Sequence, residues 1–313
     1  MKHVKRKIII LLGMLVMALA LTACSGNNEP EAAQGQETTR PTIDREGYAI
    51  TLPDEINTIL ALGPSNAEIL VAMGLGNKII GVCMDSSDVP GLPPNISTSL
   101  SFWMDIDVEY VIELMPDIVF VTGLTRAGGT DPLYAAAAAG ISVIYMPTSE
   151  TIEAVMEDIR FIAAVMETDE QGEAIVTAMQ AEIDEIIAIA ATITQPRTVL
   201  FELFPGWSIG TGTFIHEMIE LVGATNIFAD QEGWIAVSEE VVLDANPDVI
   251  LTAADFLDDP VAEIIERPGF DTIAAVQNNN VFQVDANSSQ RPSQNITRAL
   301  REIAQAVFPE YFQ

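Results

Sequence analysis

The sequence predicts an α/β protein of two lobes with parallel sheets, joined by one long helix. Three observations carry this expectation. From about Ile56 onward, short β-branched runs alternate with amphipathic helical patterns, the order in which parallel strands and crossover helices are laid down. The runs fall into two groups, separated by a stretch in which Ile175, Met179, Ile183, Ile186, Ala190 and Ile193 recur at spacings of three and four. The length, 313 residues, suits two domains with a substantial core.

Strands of the first group are read at 57–62, 78–82, 118–121 and 142–145, and those of the second at 198–203, 249–251 and 281–284. Between them no Gly or Pro interrupts 173–195, and Pro196 supplies a stop. At 1.5 Å per residue such a helix is roughly 30 Å long, a stiff strut between two halves. The expected boundaries are a first lobe at 51–168, a bridging helix at 169–195 and a second lobe at 196–313.

The halves echo each other. Residues Glu109 to Phe120 align without a gap on Glu240 to Leu251 at an offset of 131, each with an acid opening a short helix and a Pro-Asp pair (Pro116-Asp117, Pro247-Asp248) leading into a buried strand. A weaker echo pairs Glu68 to Gly74 with Glu217 to Gly223, where a helix ends on glycine. Two echoes in the same order point to a duplicated architecture.

Composition narrows the function. The chain carries 45 Asp plus Glu against 14 Lys plus Arg, a net charge of −31, yet 49% of its residues are hydrophobic. That apolar share excludes a disordered acidic chain. The negative charge disfavours binding to nucleic acid and to anionic lipid surfaces. Four of the basic residues, Lys2, Lys5, Arg6 and Lys7, precede an apolar run from Ile8 to Leu21, the plan of a secretory signal too short to span a bilayer. The run ends in Leu21-Thr-Ala-Cys24, which resembles a bacterial lipobox: residues 1–23 would be removed and Cys24 acylated. The mature chain would then hold 10 basic residues against the same 45 acids, a net charge of −35, and would sit on the extracytoplasmic face of the cell membrane by its lipid. Residues 24–50 read as a flexible tether, because 25–41 contain hardly an apolar side chain. With Cys24 acylated, Cys83 has no partner for a disulfide and reads as a small buried hydrophobe.

Ile59 to Leu70, with its Gly63-Pro-Ser-Asn66 turn, and Val108-Glu109 ahead of Pro116-Asp117 resemble the first lobe of the periplasmic-binding proteins for iron complexes and cobalamin. Gly212 to Phe214, Gly233-Trp234, Val237 to Glu240 ahead of Pro247-Asp248, and Arg291-Pro292 continue the likeness through the second lobe, so that it covers Ile56 to Phe308. The resemblance implies two Rossmann-like lobes bridged by one helix, with a ligand cleft between them. It also implies a monomer that binds a ferric siderophore, haem or cobalamin and delivers it to an ABC permease and its ATPase. No cofactor and no catalytic residue is expected. In the family a glutamate at the place of Glu109 and another at the place of Glu240 dock with the permease; the purely structural alternative is a first-turn acid worth about 0.3–1 kcal/mol to its helix, and Glu239 could serve in place of Glu240.

Open parallel sheets bind ligands beyond the carboxyl ends of their strands. That rule selects Ser65, Asn66, Met84, Phe102, Trp103, Gly123 and Arg126 in the first lobe and Trp207, Trp234 and Arg291 in the second as ligand-binding candidates. A loop tryptophan offers a broad flat face with one N–H donor, or else simply packs locally. Only ten basic residues remain for a cleft in a negative field, which favours a neutral or cationic ligand, such as a corrinoid or hydroxamate chelate, over an anionic catecholate.

Two other function classes fit parts of the chain. Gly206-Trp-Ser208-Ile-Gly210 matches the G-x-S-x-G elbow of surface esterases, but the one histidine of the mature chain, His216, lies only eight residues beyond Ser208 and reads as a helix-surface residue. A non-catalytic surface adhesin would tolerate the tether and the acidity, yet has no need of a paired cleft. The shortage of His and Cys argues against a carrier of bare zinc or manganese.

Overall fold

The computed structural model describes residues 40–101, 106–126 and 129–312. Cys24, and with it the lipobox, and the candidates Phe102 and Trp103 lie outside the described residues. Among those described, no helix is long and apolar enough to cross a membrane.

The first lobe runs β1 (Ile59–Leu62), α1 (Pro64–Ala72), β2 (Ile79–Cys83), β3 (Ser97–Leu100), α2 (Val108–Leu114), β4 (Ile118–Thr122), α3 (Tyr134–Ala138), β5 (Ser142–Met146) and α4 (Ile152–Met166). Its five strands are all parallel, in the order β3-β2-β1-β4-β5. After α5 (Asp169–Ala190) the second lobe runs β6 (Thr198–Phe204), β7 (Trp207–Ile209), α6 (Phe214–Leu221), β8 (Thr225–Asn226), β9 (Trp234–Ala236), α7 (Glu239–Ala245), β10 (Val249–Thr252), α8 (Pro260–Ile265), α9 (Ala274–Gln277), β11 (Val281–Gln283), α10 (Ala286–Gln290) and α11 (Ile296–Val307). Its sheet has the order β11-β10-β6-β7-β9, with β8 beside β6. The expected two-lobed α/β fold is present, with one departure: the second sheet is mixed, because β7 pairs antiparallel with both β6 and β9.

The bridging helix keeps its expected start and ends five residues early. It starts at Asp169, directly after Glu167 turns into the left-handed region and ends α4, and it stops at Ala190 rather than at 195. The apolar period runs on to Ile193, but that side chain is spent in a turn, packed over Gly223, while the Thr192 hydroxyl donates to the Ile189 carbonyl at the frayed end. The helix is also less of a free strut than the sequence suggests. It packs on α4 of the first lobe and on α6 and α11 of the second, and one continuous apolar core runs from β1 and β4 through α4, α5 and α11 to β6 and β10. Separate apolar clusters cover only the outer faces, under α2 and α3 in one lobe and under α7 to α9 in the other.

Both sequence echoes have structural counterparts. Asp117 accepts hydrogen bonds from the amides of Asn57 (2.7 Å) and Thr58 (2.8 Å), while its own amide is held by the Thr58 hydroxyl. Asp248 does the same with Thr198, at 2.8 Å to the amide and 2.9 Å to the hydroxyl. Each Pro-Asp pair thus staples the start of one central strand to the start of its neighbour. The helices before them, α2 and α7, both end on a left-handed residue, Met115 (φ 47°) and Asn246 (φ 46°). In the second echo Gly74 (φ 79°) and Gly223 (φ 82°) close α1 and α6 in the same way, with the following amide reaching back five residues.

Burial pushes the Asp117 carboxyl upward, but the two amides, the Thr58 hydroxyl and the charge of Lys78 outweigh it and hold its pKa below the ordinary carboxylate value. A depressed folded pKa stabilises the protein above the unfolded value, about 3.9, and that contribution is lost as pH falls through the folded pKa. Wild type should therefore exceed Asp117→Asn in unfolding free energy by a constant margin above about pH 5, and the margin should shrink below about pH 4. Urea titrations of both proteins from pH 7 to pH 3 measure it; a margin that does not narrow contradicts the assignment.

Part of the segment expected as a tether, 24–50, belongs to the folded body. Residues 40–50 are fixed on the first lobe: Arg40 donates to the carbonyls of Pro53 and Val165, buried Asp44 accepts the Tyr145 amide of β5, and Arg45 pairs with Asp158 of α4 at 2.7 Å. The polar composition that reads as solvated chain is satisfied instead by buried partners.

Candidate ligand-binding cleft

Strand order places a switch point in the first sheet between β1 and β4, where successive crossovers depart in opposite directions. The loops beyond these two strands carry Gly63 to Asn66 on one side and Gly123 to Arg126 on the other. Asn66 is 2% exposed, and its side-chain Nδ2 has no hydrogen-bond partner; the Thr122 hydroxyl is likewise buried and unpaired, and Gly63 is bordered by the Asn66 Nδ2 and the Thr122 methyl. Orphaned buried donors are costly, about 1–3 kcal/mol each, and their pairing at a switch point marks a polar floor to a crevice. Ser65 is half-buried at the start of α1, and Met84, beyond β2, is 66% exposed.

Beyond β4 the Arg126 guanidinium lies against the rings of both Tyr145 and Tyr48, 3.5 Å and 3.9 Å from their centroids, the two rings meeting edge-on. Its Nη2 pairs with Asp131 at 2.6 Å, whereas Nε and Nη1 are buried without partners. Burial alone would lower its pKa, but Asp131 reverses that and keeps it charged. Asp131 also accepts from the Tyr145 hydroxyl at 2.5 Å, and burial followed by this contact pushes the tyrosine pKa up, so the phenol stays neutral.

In the second lobe Trp207 and Trp234 open the adjacent antiparallel strands β7 and β9, with Trp234 opposite Ile209. Both are nearly half exposed, and Phe204, at the carboxyl end of β6, stacks at 5.9 Å on Trp207. A 360 Å³ cavity opens beside Trp207, lined by Leu200, Val242 and Phe270 and by the charged Glu202, Glu263 and Arg267. It lies wholly within this lobe.

Contacts between lobes show which ends face each other. The Arg291 guanidinium pairs with Glu68 of α1 and with Asp88, both at 3.1 Å, and donates to the Asp85 carbonyl just beyond β2. On the other flank Glu217 of α6 accepts the Ile152 amide beyond β5 at 2.7 Å. Segments following strand ends in one lobe thus meet the other lobe on both sides, and the carboxyl ends of the two sheets bound the space between. Arg291, expected as a ligand-binding residue from its position after β11, is engaged in this structure as a clasp between the lobes. The family model for periplasmic binding proteins matches residues 59–288.

The chain belongs to the periplasmic binding protein family. Over 320 residues this periplasmic binding protein is 28% identical to an uncharacterized ABC transporter substrate-binding lipoprotein of Bacillus subtilis, a match covering 99% of each chain. It is 27% identical over 311 residues to a cobalamin-binding protein of Halobacterium salinarum, covering 94% of this chain and 82% of that one. Its fold matches the apo form of a periplasmic heme-binding protein of Roseiflexus with a TM-score of 0.73 at 24% identity, across 83% of this chain and 100% of that one. The family comprises extracytoplasmic transport components.

In this periplasmic binding protein the G-x-S-x-G match forms no nucleophile elbow. Ser208 is 1% exposed inside β7, donates its hydroxyl to the Phe201 carbonyl at 2.7 Å, and leads into no helix. His216 is not on the helix surface as its position suggested but buried, with Nδ1 3.2 Å from Asn226 Nδ2 and Nε2 3.5 Å from Glu220. Cys83 is buried against Ser86, and burial pushes its thiol pKa up. Among the described residues no group of three His, Cys, Asp or Glu converges on a metal position. Glu109 and Glu240 are exposed second residues of α2 and α7. Sequence reasoning missed Glu46, Tyr48, Asp131 and Tyr145 around Arg126, and Glu202 with Arg267 beneath Trp207. Only Glu202 left a signal, as a lone acid inside an apolar strand.

Proposed function

We propose that this protein is the capture subunit of an ABC importer, held to the outer face of the membrane through acylated Cys24, and that it binds a corrinoid, haem or ferric chelate in the cleft between its lobes. The observation that carries this reading is the alignment over 99% of both chains with a substrate-binding lipoprotein, joined to two sheets whose carboxyl ends bound one space. The cobalamin-binding relative from Halobacterium salinarum makes a corrinoid the first ligand to try. Ser65, Asn66, Met84, Gly123 and Arg126 would line one wall and Trp207 and Trp234 the other, with Phe102 and Trp103 as further contacts. Exposed Glu109 and Glu240 would meet basic pockets of the permease, where complementary charge at two separate points orients the encounter.

Purified residues 25–313 should bind one of cyanocobalamin, haemin or a ferric hydroxamate with saturable tryptophan quenching and a one-to-one calorimetric isotherm. The double variant Glu109→Ala/Glu240→Ala should keep that affinity while losing stimulation of the importer's ATPase. Silence with every ligand, together with hydrolysis of a model ester, would overturn the reading.

A further inference from the structure

The first ordered turn of the body, residues 40–50, lies across the carboxyl ends of β4 and β5, and it is fixed there with more care than a linker needs. Asp44 is buried and takes the amides of Glu46 (3.0 Å) and Tyr48 (2.8 Å) within its own turn and that of Tyr145 (3.1 Å) on β5. The neighbouring Arg45 grips α4 through Asp158 (2.7 Å) and Glu157 (2.9 Å). A third element closes this clasp, since the Ser149 hydroxyl donates to the other oxygen of Asp158. Two consecutive side chains thus hold the turn, and the residues they position are Glu46 and Tyr48.

Both point at the rim of the switch-point crevice. The Tyr48 ring centroid lies 3.9 Å from the Arg126 guanidinium, and the ring meets that of Tyr145 edge-on. Glu46 packs on Gly123 at the end of β4, so closely that a Cβ on that glycine would fall 2.0 Å from its Oε1. A side chain at position 123 would therefore displace the Glu46 carboxylate from this place. The carboxylate lies in the field of Arg126, yet burial, reinforced by Asp44, outweighs that cation and raises its pKa above the ordinary value. Arg126 already has Asp131 on Nη2, so with Glu46 the cluster of one cation and two carboxylates is net negative, although Nε and Nη1 remain unpaired.

We infer that Glu46 is a selectivity residue of the cleft: an anion built into the chain that stands on the approach to Arg126 and repels chelates bearing net negative charge, while the exposed Tyr48 ring offers an uncharged contact to a neutral or cationic ligand. Specificity of this kind comes from an element that opposes the wrong ligand as much as from contacts with the right one. The inference rests on the capture reading above and adds the ligand's charge class and the segment that sets it.

Calorimetry on residues 25–313 of wild type, Glu46→Gln and Glu46→Ala, with cyanocobalamin as the neutral probe and a ferric tris-catecholate as the anionic one, tests it. Both substitutions leave the Asp44 and Arg45 anchors in place. Each variant should bind the catecholate at least tenfold more tightly than wild type does, with cobalamin affinity changed less than threefold. An unchanged ratio of the two affinities in both variants overturns the assignment. If the wild-type protein binds neither probe, the capture reading is decided by haemin and a ferric hydroxamate, and the role of Glu46 stands or falls on whether either variant acquires catecholate binding.

Discussion

Replacing Arg267 by alanine is expected to lower the unfolding free energy by about 3–5 kcal/mol, because it strands a charge in the second lobe. The Arg267 guanidinium meets both oxygens of Glu202 on β6, at 2.6 and 2.8 Å, and reaches Glu263 of α8 at 2.5 Å. Its side chain is 8% exposed and that of Glu202 7%. Burial alone would lower the arginine's pKa, but the two glutamates more than reverse it, so the cation persists at any pH the fold survives. Truncation leaves Glu202 buried with no cation, at a position where the chain cannot turn it out to water without breaking β6. Arg267→Lys should also lose stability, since an ammonium cannot reproduce the bidentate fork. The double variant Arg267→Met/Glu202→Leu should recover most of the loss, because a well-packed apolar pair often equals a buried ion pair. Urea unfolding of the three variants reads the comparison; a cost under about 1 kcal/mol for the alanine variant, or no recovery in the double, would refute it.

That ion pair also shows where sequence reading reaches its end. Strands such as β1, β4 and β10 are legible because both faces are buried and the run is continuously apolar. The short β7 and β9 escape notice: three residues each, with β7 reached from β6 through a turn at Gly206 (φ 80°) whose geometry no periodicity records. The edge strand β3 reads Ser-Thr-Ser-Leu and has no apolar face to announce it. The Pro-Asp staples were legible because each is a local pattern repeated once. The ordered turn at 40–50 was not, because Asp44 and Arg45 look solvated until Tyr145 and Asp158 are folded onto them. The clasp made by Arg291 is hidden from the sequence for the same reason: its partner Glu68 lies 223 residues away in the chain. Apolar burial leaves a one-dimensional trace, whereas a buried charge depends on a partner that only the fold supplies.

Glu68→Ala is expected to cost about 3 kcal/mol, and to cost it in both lobes at once. The Glu68 carboxylate is buried on α1 and accepts from Arg291 (3.1 Å), from the Ser293 hydroxyl and from Asn295 Nδ2 (2.8 Å), the last residue before α11. Its sequence echo, Glu217 on α6, crosses the other way to the first amide of α4. Each lobe's first helix thus sends an acid to the opening of the other lobe's last helix, where the helix dipole favours negative charge. The two are unequal. Glu217 holds one amide, and its loss should resemble a lost helix cap, about 1 kcal/mol, whereas removing Glu68 leaves two donors unsatisfied and Arg291 with Asp88 as its remaining carboxylate. Because one apolar core passes through α4, α5 and α11 into both sheets, the weakened protein should still unfold in a single transition. Tryptophan fluorescence in a Trp103→Phe background, which reports the second lobe through Trp207 and Trp234, and far-ultraviolet circular dichroism, which reports both lobes, should give one shared urea midpoint when Glu68→Ala is added, shifted to lower urea than without it. Midpoints that separate would mean that the lobes fold independently and that Glu68 joins units the core does not.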